Sequence, residues 1–259
     1  MIFSNMAALF VGLSAPLAHG GVAVNHFNMA ARAIAPFVNP VPLRIMPLGA
    51  SITWGQASSD GNGYRAELRY QLASAGNVVN LVGSRQHGNM ADSDVEGWPG
   101  FRIDQVHQKA LDFVPQWKPN VFLINVGTND AVQSRNISTA GERMEQMIND
   151  LYNMSPRATV LLSTLLLNRN PATERNVQSI NQQFTALVSK LRNAGRSIVL
   201  ADMHSDRGPV DSDLFDETHP NDVGYRKMAN VWFTALFQAN DLGLLQGAEV
   251  VPGVPDNGA

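Results

Sequence analysis

The chain has 259 residues, contains no cysteine and carries a formal net charge of −3. This length accommodates one large α/β domain with a buried core, and two domains are not required. The absence of cysteine excludes disulfides, thiol nucleophiles and thiolate metal sites. The small negative charge gives no reason to expect nucleic acid or an acidic membrane surface as a partner.

The first twenty residues differ from the rest of the chain. Residues 6–13 form a short apolar run, and an Ala-His-Gly triplet at 18–20 is typical of a cleavage site. This run is too short to span a membrane but suits a secretory signal. No lysine or arginine precedes it, so a disordered or locally packed N-terminus is the alternative. We predict a signal peptide over residues 1–20 and a secreted protein, in which Asn136 and Asn153 lie in triplets open to glycosylation.

Three further segments follow. Residues 21–42 show no sustained period and end in a stretch with two prolines, which favours a lead-in segment without a continuing helix. Strand-like and helical patterns then alternate, and we predict one folded domain over residues 43–240. Residues 241–259 carry glycine and proline near their end and indicate a weakly structured tail or the start of a linker.

Within the domain, runs rich in valine, isoleucine and leucine predict five strands, at 43–48, 78–83, 121–126, 158–166 and 197–202. Four stripes with helical spacing accompany them: Tyr64, Leu68 and Leu72; Ile103, Val106, Ala110 and Phe113; Val177, Ile180, Phe184, Leu187 and Leu191; and Tyr225, Met228, Val231, Trp232 and Leu236. Alternating strands and helices predict an α/β fold, with a mostly parallel sheet covered by helices on both faces. Ligands of such sheets bind beyond the carboxyl ends of the strands.

Small and polar residues follow each predicted strand. In chain order these are Gly49-Ala50-Ser51, the loop containing Gly100, Gly127-Thr128-Asn129-Asp130, Asn168-Arg169 and Asp216-Glu217-Thr218-His219. A serine hydroxyl needs a base to become a nucleophile, and histidine is the usual base near neutral pH. Asp216 lies three residues before His219 and can accept the other imidazole N–H within one loop. The sequence therefore predicts that Ser51, His219 and Asp216 are catalytic.

All of these blocks except Asn168-Arg169 together resemble the SGNH hydrolases, also called GDSL-type esterases. The resemblance is strongest to their carbohydrate-esterase branch, which includes acetylxylan esterases. The resemblance extends over residues 43–238. It implies a three-layer α/β/α sandwich around a five-stranded, parallel, doubly wound sheet of the flavodoxin-like kind. It also implies an oxyanion hole made by the backbone N–H groups of Ser51 and Gly100 and the side-chain amide of Asn129. Ala50 stands where the family usually has aspartate, but that aspartate is not among the four residues that name the family.

Each of these residues also has a simpler interpretation. Ser51 can be a helix cap, Gly100 a plain turn, Asn129 and Asp130 caps of the next helix, His219 a loop residue and Asp216 a solvated charge. Asp211, Asp213 and Asp222 compete with Asp216 as the partner of the histidine, and only the family spacing favours Asp216.

Two tryptophans lie beside the first two blocks. Trp54 and Trp98 are predicted to form walls for a sugar ring, and the alternative is that they pack against the protein or close the site. Beyond the predicted signal peptide, the remaining histidines, His26, His87, His107 and His204, show no pair at ligand spacing, so we expect no metal. The nucleotide-binding motifs G-x-G-x-x-G and G-K-S/T are also absent from the sequence, so no cofactor is expected.

The sequence thus predicts a monomeric serine esterase that hydrolyses carboxylic esters, most simply acetyl esters on carbohydrate, through an acyl-enzyme. Its predicted partner is acetylated carbohydrate or another small ester, with no nucleic acid and no membrane span. Two alternatives stay open: a lipolytic or lysophospholipase-type acyl hydrolase with the same triad, and a non-catalytic carbohydrate-binding relative.

Overall fold

The computed structural model describes residues 36–37 and 40–255. The predicted signal peptide and most of the lead-in segment lie outside the described residues. Among the helices of the described part, none combines the length and the apolar character that a membrane crossing requires.

A central sheet of seven strands runs in the order β3-β4-β1-β5-β6-β7, and β2 also pairs with β1. Every pair is parallel except β3 with β4. The strands are β1 Leu43–Gly49, β2 Val79–Leu81, β3 Arg85–Gln86, β4 Asp94–Gly97, β5 Val121–Asn125, β6 Thr159–Ser163 and β7 Ile198–Ala201. The predicted α/β class with a mostly parallel sheet is confirmed.

One position of the sheet is built from two short strands. The first residues of β1 pair with β2, whereas Leu48 and Gly49 pair with β4 on the same side of the strand. The five parallel strand positions expected from the family are therefore present, but the position beside β1 is shared by β2 and β4. The predicted strand at 78–83 accounts for β2 only. The polar run that forms β4, with its buried Glu96, gave no hydrophobic signal.

Helices cover both faces of this sheet. They are α1 Ser51–Trp54, α2 Arg65–Ser74, α3 Ile103–Trp117, α4 Thr128–Val132, α5 Ala140–Met154, α6 Pro171–Asn193 and α7 Asp222–Asp241. Alternate residues of β1 point to opposite faces: Ile45 packs with α2 and α7, while Met46 and Leu48 pack with α3, α5 and α6. This arrangement confirms the predicted three-layer α/β/α sandwich.

The predicted helical stripes are buried, with one exception. Phe113 is only half-buried, and its neighbour Val114 takes the fully buried place on α3. Helix α5 was not predicted, although Met144, Met147, Ile148 and Leu151 have helical spacing and are all buried.

The segment after α7 has no helix or strand as far as residue 255, yet it is held against the amino ends of the strands. The Glu249 carbonyl accepts a hydrogen bond from the Arg44 guanidinium at 2.9 Å, and its carboxylate pairs with Lys118 at 2.7 Å. The Leu244 carbonyl accepts from the Thr159 hydroxyl at 2.8 Å. This segment therefore covers the edge of the sheet opposite to the carboxyl ends.

At the carboxyl edge, the order of strands reverses between β1 and β5. The chain leaves β1 for β2 and β4 on one side and returns to β5 on the other. A crevice forms at such a point in doubly wound sheets. Ser51 follows β1 and Asn129 follows β5, so the topology brings both to this crevice.

Candidate active site

Ser51 is the first residue of α1, two residues beyond the end of β1. The turn is tight, and a Cβ at Gly49 would collide with the Asn125 carbonyl oxygen and the Thr53 side chain, so only glycine fits there. Ala50 occupies the N-cap position, and no side chain caps this helix. Ser51 is therefore not a cap, and its backbone N–H, in the first turn of the helix, lacks an intrahelical acceptor.

The His219 imidazole joins the serine to an aspartate. Its Nε2 lies 2.9 Å from Oγ of Ser51, and its Nδ1 lies 2.8 Å from Oδ2 of Asp216. Because a carboxylate only accepts hydrogen bonds, the proton of the neutral imidazole resides on Nδ1 and the lone pair of Nε2 faces the hydroxyl. The three predicted catalytic residues thus form one continuous hydrogen-bonded chain.

A short hairpin holds the last two of them. Leu214 and Pro220 form an antiparallel bridge, and the Phe215 N–H donates to the His219 carbonyl at 2.8 Å. Inside the hairpin, Oδ1 of Asp216 accepts from the backbone N–H groups of Thr218 at 2.8 Å and His219 at 2.7 Å. Burial raises the pKa of the Asp216 carboxyl, but the hydrogen bonds from His219 and Thr218 outweigh burial and leave that pKa below its usual value. Asp216 is therefore ionised at neutral pH.

The competing aspartates have other partners. Asp211 pairs with Arg169 at 3.0 Å, and Asp213 pairs with Lys227. Asp222 accepts a hydrogen bond from the Ser59 N–H at 2.8 Å. Of the four candidates, Asp216 alone is hydrogen-bonded to His219.

The predicted oxyanion donors are connected through one turn. Gly100 lies in a turn between Trp98, whose N–H donates to the Gly49 carbonyl at 2.9 Å, and Phe101, whose carbonyl accepts from Nδ2 of Asn129 at 2.8 Å. The φ of Gly100 is +82°, and a Cβ there would meet no protein atom within 4 Å. Glycine is required by this dihedral rather than by a clash.

Two hydrogen-bond donors, the Gly100 N–H and the Asn129 amide, remain available to an oxyanion. No acceptor among the described residues binds the Gly100 N–H. The Asn129 amide has two N–H groups and uses one of them on Phe101, which leaves the other for an oxyanion.

Residues 48–227 match the model of the GDSL-like lipase/acylhydrolase family. The chain belongs to this family. The family is described as one of lipases and acylhydrolases.

Individual relatives agree with this assignment. A multidomain esterase of Ruminococcus flavefaciens is 28% identical over 248 residues, which cover 83% of this chain and 31% of that protein. The chain therefore spans about a third of this curated relative. A Clostridium thermocellum family 3 carbohydrate esterase superposes with a TM-score of 0.70 at 24% identity, covering 78% of this chain and 98% of the other. An acetyl esterase variant crystallised with acetate gives a TM-score of 0.66 at 22% identity, covering 78% and 99%. The two structures share the fold.

Asp130, in α4, links that helix to α3 and α5. Its Oδ2 accepts from the Ile103 N–H at the start of α3, at 3.0 Å, and its Oδ1 pairs with Arg143 at 2.7 Å. Burial raises the pKa of Asp130, and the hydrogen bonds from Arg143 and Ile103 oppose that rise. Neither Asn129 nor Asp130 caps α4, since no side chain caps that helix at Gly127.

Trp54 and Trp98 both pack on a cation. The Arg85 guanidinium lies 4.0 Å from the centre of the Trp54 ring and 4.5 Å from that of Trp98. Trp54 also stacks on His87 at 4.1 Å, and Trp98 stacks on Phe101 at 5.4 Å. A sugar ring would have to displace one of these neighbours, so the contacts favour the packing alternative.

No metal site accompanies the triad in the described part of the chain, where no three histidine, cysteine, aspartate or glutamate side chains cluster for a metal ion. Asn168 and Arg169 had no predicted role, and the structure places both against the Asp216 hairpin. Their position after a strand was the only signal.

Proposed function

We propose that this domain is a serine esterase that removes acetyl groups from carbohydrate through an acyl-enzyme on Ser51. The observation that carries the proposal is the hydrogen-bonded chain from Ser51 Oγ through the His219 ring to the Asp216 carboxylate, with distances of 2.9 Å and 2.8 Å. Family membership supports the ester as substrate. The available N–H groups of Ser51, Gly100 and Asn129 can stabilise the oxyanion of a tetrahedral intermediate.

In the acylation half, Oγ of Ser51 attacks the ester carbonyl carbon while Nε2 of His219 takes the hydroxyl proton. The imidazolium that forms is stabilised by the Asp216 carboxylate. Negative charge on the carbonyl oxygen is received by the N–H groups of Ser51 and Gly100 and by the Asn129 amide. His219 then gives its proton to the leaving alkoxide oxygen, the C–O bond breaks, and the alcohol departs.

In the deacylation half, a water molecule takes the place of the alcohol. Nε2 of His219 removes a proton from the water, whose oxygen attacks the acyl carbon. The same donors hold the second oxyanion. The bond to Ser51 Oγ breaks, the serine recovers its proton from His219, and the carboxylic acid leaves.

Carbohydrate as the alcohol is supported by the names of the relatives and by one side chain. Phe215 is 70% exposed and lies next to Asp216 in the hairpin. The apolar face of a sugar ring would remove this surface from water, which is worth about 25 cal/mol per Å² buried. The tryptophans are occupied by Arg85, whereas Phe215 is exposed beside the triad and available for stacking.

Acetate release from acetylated xylan, compared with hydrolysis of long-chain p-nitrophenyl esters, tests this function. We expect the wild type to release acetate and to act poorly on long chains, and the Ser51→Ala variant to do neither. Faster turnover of the long-chain esters would favour the lipolytic alternative. Xylan binding without hydrolysis of any ester, together with no reaction of Ser51 with a serine-directed phosphonate, would favour a non-catalytic relative.

Secretion is part of the proposal and is supported by the apolar run and the small-residue triplet near the N-terminus. Asn136 and Asn153, the two residues in glycosylation triplets, are both exposed. Expression in a secreting host followed by N-terminal sequencing of the protein from the medium tests it. A new N-terminus close to residue 21 is expected, whereas retention of the full chain inside the cell contradicts it.

A further inference from the structure

The loop after β6 binds the hairpin that carries Asp216 and His219. The guanidinium of Arg169 donates from Nη1 to the Asp216 carbonyl at 3.1 Å. Its Nη2 donates to the Asp211 carbonyl at 2.7 Å and to the Leu214 carbonyl at 3.3 Å. Its Nε donates to the Asp211 carboxylate at 3.0 Å. All three guanidinium nitrogens are therefore used on one short stretch of chain.

Two further hydrogen bonds join the same loop to the hairpin. The Arg169 N–H donates to the Glu217 carbonyl at 3.0 Å. Nδ2 of the buried Asn168 donates to the Thr218 hydroxyl at 2.9 Å. Residues 216, 217 and 218 are thus each held from the β6 side, while the Asp216 carboxylate stays turned towards His219.

The base of the hairpin is also held by contacts that do not involve Arg169. Leu214 and Pro220 pair directly, the Asn221 N–H donates to the Asp213 carbonyl at 2.8 Å, and Asp213 pairs with Lys227. Removal of the arginine side chain therefore leaves these base contacts in place and removes the hydrogen bond to the Asp216 carbonyl.

We propose that Arg169 is a positioning residue, which fixes the Asp216 backbone so that its carboxylate meets Nδ1 of His219. The inference rests on the proposed function, because it concerns the same triad. Only a planar fork reaches acceptors in several directions at once, so lysine cannot replace it fully. Since Arg169 acts through the triad, its loss lowers kcat and changes KM little.

Kinetics on p-nitrophenyl acetate test the proposal with four variants. Arg169→Ala is expected to lose roughly 10- to 100-fold in kcat, as small displacements of catalytic groups do, and Arg169→Lys to lose less. Asp211→Asn removes the exposed ion pair but keeps the carbonyl acceptor, so kcat should stay within about twofold because such pairs contribute little. Arg157→Ala, an exposed arginine elsewhere, is the matched control. Unchanged thermal unfolding of the variants separates positioning from misfolding.

The decisive comparison uses a variant that already lacks the acid. If Arg169 acts through Asp216, then adding Arg169→Ala to Asp216→Ala should lower kcat by no more than about threefold further, since residues of one unit are not additive. Losses that multiply in full would overturn the inference, and so would full activity of Arg169→Ala. Full activity of Ser51→Ala would instead overturn the proposed function itself, whatever Arg169 does.

Discussion

Nε2 of His219 lies 2.9 Å from Oγ of Ser51, although 168 residues separate them along the chain. The serine follows β1 and the histidine follows β7, and β1 and β7 are three positions apart in the sheet. The Asp216–His219 hairpin has to reach back across the carboxyl edge to make this contact. Activity therefore depends on how firmly that hairpin is held.

Asp216→Asn should lower kcat by about 10²- to 10⁴-fold with little change in KM, because an amide favours the wrong tautomer of the base. No neighbouring aspartate can substitute, since Asp211, Asp213 and Asp222 have other partners. Steady-state kinetics on a small ester measure the effect. Asp222→Asn is the control and should keep nearly full activity. An equal loss in both variants would contradict the assignment of Asp216.

Asn129→Ala should lower kcat by about 10²- to 10³-fold, the usual effect of removing one oxyanion donor. The same change removes the hydrogen bond to the Phe101 carbonyl and so loosens the turn at Gly100. Gln133→Ala is a matched control, because this exposed amide lies at the other end of α4, where its oxygen accepts a hydrogen bond from Arg102. Comparable losses in the two variants would show that Asn129 is not an oxyanion donor.

Phe215→Ala should raise KM for an acetylated xylo-oligosaccharide several-fold and leave kinetics on p-nitrophenyl acetate unchanged. The reason is that a sugar ring stacked on Phe215 buries apolar surface, which contributes roughly 1 to 2 kcal/mol to binding. Tyr70→Ala supplies the comparison, since Tyr70 is 67% exposed but lies on α2. The prediction fails if Phe215→Ala affects both substrates alike, or if Tyr70→Ala has the same effect on the saccharide.

Glu96 should make stability depend on pH. Burial raises the pKa of this carboxyl, against the opposing hydrogen bonds from Ser84 and Trp98. The folded protein therefore keeps the proton to a higher pH than the unfolded chain does. The stability that Glu96 contributes is complete below its unfolded pKa of about 4.3 and declines as pH rises through the higher folded value.

Thermal unfolding of wild type and Glu96→Gln across the acid and neutral range measures this contribution. We expect the variant to be less stable. In the wild type the Glu96 carboxyl accepts a hydrogen bond from the Ser84 N–H at 2.8 Å, whereas the glutamine amide would place an N–H donor against it. The difference between the two proteins should shrink as pH rises through the folded pKa. A difference that grows with pH would show that the pKa is lowered rather than raised.

The positions of β1, β2, β5, β6 and β7 and the stripes of α6 and α7 could be predicted from sequence, because continuous apolar runs and regular spacing mark buried elements directly. The strand predicted at 158–166 is longer than β6, which ends at Ser163. The apolar residues of α5 have the same spacing and carry the same signal. Strand β4 could not be found in this way, because Glu96 is buried by its contacts with Ser84 and Trp98 rather than by hydrophobicity.

The residues of the site could be placed at one edge from their order after the strands, but their contacts could not. The choice of Asp216 over Asp213 needed the family spacing, since both lie in the same short loop. The function of Arg169 depends on carbonyl groups, which every residue has, so no sequence pattern reveals it. The packing of Trp54 and Trp98 depends on Arg85, whose strand is only two residues long.

Reaction with a serine-directed phosphonate, followed by mass spectrometry of the intact protein and of its peptides, tests the role of Ser51 most directly. We expect one adduct per wild-type molecule, located on Ser51, slower labelling in His219→Ala and none in Ser51→Ala. An adduct on a different residue, or labelling of Ser51→Ala at the wild-type rate, would contradict the account.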